Sequence, residues 1–150
     1  MSNDAPATPA DEGAAPSPSG ARQIEVEVSP GELIDKISIL EIKAEQIEDP
    51  EKLKNVVYAL ALLRRTRDDA LVESDALAGL EKELKAINQA LWTIEDDIRA
   101  CEAAQDFGPR FIELARAVYK TNDRRAATKK KIDRLFGSAL TEEKSYYGSD

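Results

Sequence analysis

Four side chains with chemistry of their own, Asn88, Trp92, Glu95 and Arg99, follow one another at spacings of four, three and four residues. At about 100° per residue, a helix sets them in one narrow strip. An amide, an indole, a carboxylate and a guanidinium in line can grip a polar ligand or a partner's backbone. A structural role is open to the same residues. Glu95 and Arg99 form an i, i+4 ion pair in the favoured order, and Trp92 can roof an apolar seam. A second set, Asn122, Arg125 and Lys129, interrupts the apolar line Phe111, Leu114, Ala115, Val118, Ile132 and Phe136. Polar groups on a buried line need partners. Where the two strips meet, Glu95 or Glu41 is expected to pair with Lys129 or Arg125. That pairing makes either a register-setting buried network or the wall of an anion pocket.

Little else in the chain invites catalysis. There is no histidine, so the usual general base, metal ligand and pH switch are missing. The single cysteine, Cys101, falls on an apolar seam and reads as a small buried hydrophobe. Acidic runs such as Glu95-Asp96-Asp97 and Glu142-Glu143 read as surface charge. No catalytic residue, metal site or cofactor is expected. A net charge of −8 argues against general nucleic-acid binding and against anionic membrane surfaces. No apolar run approaches the roughly 18 residues that membrane insertion needs. The amino terminus has neither a basic start nor an apolar stretch, so no signal peptide is expected, and the expected compartment is cytoplasmic.

Four helices must position these groups. Residues 1–22, rich in Ala, Pro, Ser, Asp and Gly, are expected to be a disordered leader. Ile24, Val26 and Val28 alternate with polar neighbours, which predicts a short extended segment with one buried side, laid along helices or paired with a second copy. Ser29-Pro30-Gly31-Glu32 is a helix start, with Ser29 as cap and Glu32 reaching back to close a capping box. The first helix should run to about Ile47 on a main face of Leu33, Ile37, Leu40, Ala44 and Ile47, widened by Ile34. Ile39 and Ile42 fall on its far side and are expected to form an oligomer interface. Asp49-Pro50 starts a second helix, to about residue 71; Ser74 or Asp75 caps a third. The third carries the heptad line Leu77, Leu80, Leu84, Ile87, Leu91, Ile94, Ile98 and Cys101. After a turn at 106–109, the fourth should run to Phe136 and stop at Gly137. Residues 110–134 hold nine basic against three acidic side chains, and residues 74–105 three against seven, so this pair should match charge across an antiparallel contact. The expected fold is all-α: a four-helix antiparallel bundle, or helical hairpins, over 23–137. A tail over 138–150 follows, in which Tyr146 and Tyr147 dock on the bundle or on a partner.

Three stretches are familiar together: Ser29–Lys43, Asn88–Asp96, and Tyr119–Ala126 with the closing Glu142-Glu143-Lys144-Ser145-Tyr146. Over roughly residues 24–147 they resemble a family of small bacterial helical proteins catalogued as a domain of unknown function, found near or fused to glycosyltransferase and tetratricopeptide-repeat proteins. The resemblance implies one compact helical domain, and Tyr119, inside the third stretch, joins the binding candidates. The leading functional expectation is a non-enzymatic interaction or accessory module that self-associates as a homo-oligomer or takes a protein partner. The alternative is a binder of a small anionic ligand, or an enzyme, built on the inward polar residues of the third and fourth helices and linked to glycan biosynthesis.

Overall fold

Local signals place the helix starts. The computed structural model describes residues 23–138 and residue 140, in four helices: α1 (Pro30–Gln46), α2 (Pro50–Ala70), α3 (Asp75–Ala103) and α4 (Pro109–Leu135). Ser29, Asp49 and Ser74 each accept a hydrogen bond from a first-turn N–H, of Glu32, Lys52 and Leu77 respectively. Proline opens α1, α2 and α4, where its missing N–H costs nothing. Gly137, at φ +60°, stops the chain beyond α4 in the left-handed conformation that suits glycine. No strand occurs among the described residues.

The α3–α4 hairpin is the base of the structure, and α1 lies across it. Asp35 and Ser38 both reach Asn88 of α3, while Gly31 faces Asp133 and Asp35 faces Arg125 along α4. Thus α1 runs antiparallel to α4 and crosses α3. It packs against all three other helices; α2 packs its backbone against α1 alone. The core forms where these helices converge, from Leu33, Ile34, Ile37, Leu60, Leu71, Leu77, Leu84 and Ile132. Charge matching between α3 and α4 is present: Glu83 takes Thr128 and Lys131, and Asp97 takes Arg110.

The heptad seam of α3 is sealed only where α1 crosses it. Leu77, Leu84, Ile87 and Leu91 are buried, whereas Ile94, Ile98 and Cys101 are half-exposed, because α1 has 17 residues against the 29 of α3. On α2 the long side chains of only Leu60 and Arg67 are buried, and its end is tied down by Arg67, which bonds Glu81 of α3 together with Asp68 and Glu73.

Two expectations need correction. The segment at 23–28 is extended but has no buried side: Ile24 is 84% and Val26 73% exposed. Ile42 does not reach the surface; it is 1% exposed. The far side of α1 is apolar because α1 is central, so the interface expected of Ile39 and Ile42 loses Ile42 to the interior of the chain and keeps Ile39 half-buried. The expected leader (1–22) and most of the tail, with Tyr146 and Tyr147, lie outside the described residues.

Candidate functional site

The polar centre of the molecule is Asp35, a carboxylate only 1% exposed in the second apolar face of α1. An isolated carboxylate there would be expensive, so its surroundings must hold it. Arg125 of α4 does so in bidentate fashion, Nε to Oδ1 at 2.8 Å and Nη2 to Oδ2 at 2.5 Å. The Asn88 amide of α3 donates to the same Oδ1 at 2.9 Å and to the Ser38 hydroxyl at 2.7 Å. Ser38 in turn donates to the Asp35 carbonyl at 2.8 Å. Burial pushes the Asp35 carboxyl up, but the Arg125 guanidinium and the Asn88 amide outweigh it and hold the group below the ordinary carboxylate range. One turn away, Lys129 gives its ammonium to Glu32 at 2.7 Å, and this hydrogen bond is the chief cause that lowers the Glu32 carboxyl. Every buried side-chain nitrogen and oxygen among the described residues has a partner. Three helices are thereby locked in register by one paired network.

Beside the network opens a cleft of about 210 Å³ where α1, α3 and α4 meet. Ile39, Ile42 and Leu91 form its apolar floor; Lys43, Asn88, Trp92, Glu95, Asn122 and Arg125 supply its chemistry. Asn88 and Arg125 are shared with the network and are already engaged. Among the described residues, the side chains of Lys43 and Asn122 and the Trp92 indole N–H make no hydrogen bond or ion pair. A second cleft of about 260 Å³, between α1, α2 and α3, is lined by Glu41, Arg64, Arg67 and Glu81, whose charges are spent on one another.

The two strips predicted from sequence therefore meet in part. Asn88, Trp92 and Glu95 come together with Asn122 and Arg125. Arg99 lies outside, exposed, 3.9 Å from Glu95 and 3.8 Å from Asp96, because α1 does not extend to its level. Tyr119 is 54% exposed and away from the cleft. Glu41 pairs with Arg64 and Lys85, not with α4. The pairings expected for Arg125 and Lys129 are corrected: the carboxylates are Asp35 and Glu32 of α1, not Glu95 or Glu41. Glu32 likewise leaves the capping box to Ser29 alone and turns to Lys129. Sequence reasoning missed Asp35, Ser38 and Lys43. The available signal was that Asp35, Ile39 and Ile42 fall at i, i+4 and i+7, so a carboxylate shares a face with two isoleucines.

This pairing predicts where mutational coupling appears. Lys129→Met should couple to Glu32→Gln by on the order of 1 kcal/mol, and should add independently to Glu95→Gln. Urea denaturation of the singles and doubles measures both. Coupling to Glu95 instead would place the ammonium on the wrong helix.

No helix among the described residues is long and apolar enough to cross a membrane, and no group of three or more potential metal ligands occurs among them. A search of curated proteins and of solved structures returns no match. One family model matches, that of a family of unknown function, DUF6165, over residues 24–149. The match spans α1 to α4, the Asp35 network and the Trp92 cleft, and the chain belongs to that family.

Proposed function

We propose that the protein is a non-catalytic binding module, a rigid helical scaffold that offers the Trp92 cleft to one small group of a ligand or partner. The observation that carries this reading is the division of labour between the two polar sets. Among the described residues the buried side-chain nitrogens and oxygens are all paired, which suits a role in setting register rather than in turnover. The cleft, by contrast, keeps three uncommitted donors above an apolar floor. Its size decides what it can hold. Clefts for drug-sized ligands run from about 300 to 1,000 Å³; about 210 Å³ takes a single side-chain-sized group, the scale of an anchor residue in an interface.

Self-association fits the same reading, because the exposed extended segment Ile24–Val28 offers an apolar stripe to a second copy. The test uses the full-length chain, immobilised, beside Trp92→Ala and Asn122→Ala. A molecule retained from native lysate by the wild type should be lost from both variants at equal folded fraction, while light scattering on the same samples registers a second copy as the partner. Retention unchanged in both variants overturns the reading.

A further inference from the structure

We infer that the Trp92 cleft recognises a carboxylate borne on a short aliphatic group, a specificity that rests on the cleft being the binding site proposed above. Three of its uncommitted groups donate: the Lys43 ammonium, the NH2 of the Asn122 amide and the Trp92 indole N–H. Donors without partners call for a ligand that supplies acceptors, and a carboxylate supplies the most in the least space. Arg125 also faces the cleft, but its Nε and Nη2 are clamped on Asp35, which offsets its charge. Lys43 is therefore the cation with a hand to offer.

Glu95 constrains where an anion can sit. It lines the same cleft with a half-exposed side chain whose ion pair, with Arg99, is long at 3.9 Å. A carboxylate belongs against Lys43 and Asn122, and a cationic group, where the ligand has one, beside Glu95. The apolar lining of Ile39, Ile42 and Leu91 takes an aliphatic body. The volume of about 210 Å³ lies below the roughly 300–1,000 Å³ of clefts for larger ligands and favours a small group. Two sources carry this chemistry: a free aliphatic amino acid, or the carboxyl end of a protein chain closing on an aliphatic residue.

Trp92 is the sole tryptophan of the chain, so its emission reports on the cleft alone. The probes are leucine, its deaminated counterpart isocaproate, and an acetylated peptide ending in leucine, as the acid and as the amide. At least one acid probe should shift the emission saturably, and the peptide amide should not. Lys43→Gln should weaken that binding about tenfold, the worth of one charge-assisted hydrogen bond, with no change in melting temperature. Leucine binding tighter than isocaproate, with Glu95→Gln removing the difference, identifies the free amino acid. The peptide acid binding tighter than leucine identifies the chain end. Equal binding of acid and amide, an unchanged affinity in Lys43→Gln, or no response to any acid probe overturns the inference. In that last case, a partner still lost on Trp92→Ala and Asn122→Ala leaves the cleft as a binding site with another ligand chemistry, whereas no such loss removes both.

Discussion

Arg125→Met should destabilise the protein by about 3–5 kcal/mol, the cost of leaving one half of a buried ion pair behind. The asymmetry of the pair sets the size. The Asp35 side chain is 1% exposed and that of Arg125 29%, so removing the arginine strands a carboxylate that cannot reach water. Asn88 alone donates to it then, where the guanidinium gave two bonds. Asp35→Asn should cost less, because the guanidinium it releases is already partly solvated and the new amide oxygen still accepts one bond. The double variant Asp35→Leu with Arg125→Met should recover much of the loss, since well-packed apolar residues replace buried pairs at little cost. Equal effects of the two single variants would mean that burial does not govern this pair.

The same substitution should reverse the pH dependence. In the wild type the Asp35 carboxyl lies below its ordinary value, because its hydrogen bonds to Arg125 and Asn88 outweigh the opposing push of burial. Its contribution to stability is present above the unfolded-state pKa and is lost as pH falls through the lower folded value. Glu32 adds to the same trend through Lys129. Without Arg125, burial acts on Asp35 with little to oppose it and lifts the folded pKa above the unfolded one. That carboxyl then stabilises the fold below the unfolded pKa, and the benefit disappears as pH rises through the folded value. Between about pH 4 and 6, urea midpoints of the wild type should hold level or rise, and those of Arg125→Met should fall. Parallel profiles would show that Asp35 keeps its pKa without the guanidinium.

What the sequence made legible follows from where each signal resides. Helix starts depend on neighbours along the chain, so Ser29-Pro30, Asp49-Pro50 and Ser74 could be read directly, and the structure uses all of them. The α3 strip could be read as a strip, but not as half buried and half exposed. That division depends on how far α1 reaches along the hairpin, which is a tertiary fact. The pairing of Lys129 and Arg125 failed for a related reason. The hairpin suggests Glu95 on α3, and Glu41 is the first helix's candidate; the actual carboxylates, Glu32 and Asp35, lie nearer the start of that same helix, where the sequence alone does not show how α1 meets α4. Ile42 shows the ambiguity most sharply. An apolar far side marks a central helix and an interface helix alike, and only the presence of α3 and α4 over it decides between them.

Gly31→Ala should destabilise the protein by about 2–3 kcal/mol, although alanine is the better helix former. At this position α1 meets α4 so closely that an added Cβ would press into the backbone carbonyl oxygen of Lys129 and stand 2.9 Å from the Asp133 carboxylate. The carbonyl is part of α4 and cannot swing aside as a side chain would, so the two helices must separate. Separation also lengthens the hydrogen bond that the Gly31 N–H gives to Asp133, now 2.8 Å, which satisfies one of the open donors at the start of α1 from another helix. The Glu32–Lys129 pair one residue further on loosens with it. Gly79 provides the matched control. It lies in the first turns of α3 with nothing within 4 Å of where its Cβ would be, so Gly79→Ala should stabilise by about 0.5–1 kcal/mol from backbone entropy alone. Denaturant midpoints of the two variants should therefore move in opposite directions from the wild type. If Gly31→Ala moves with Gly79→Ala, the close approach of α1 to α4 is not what holds the network above it in register.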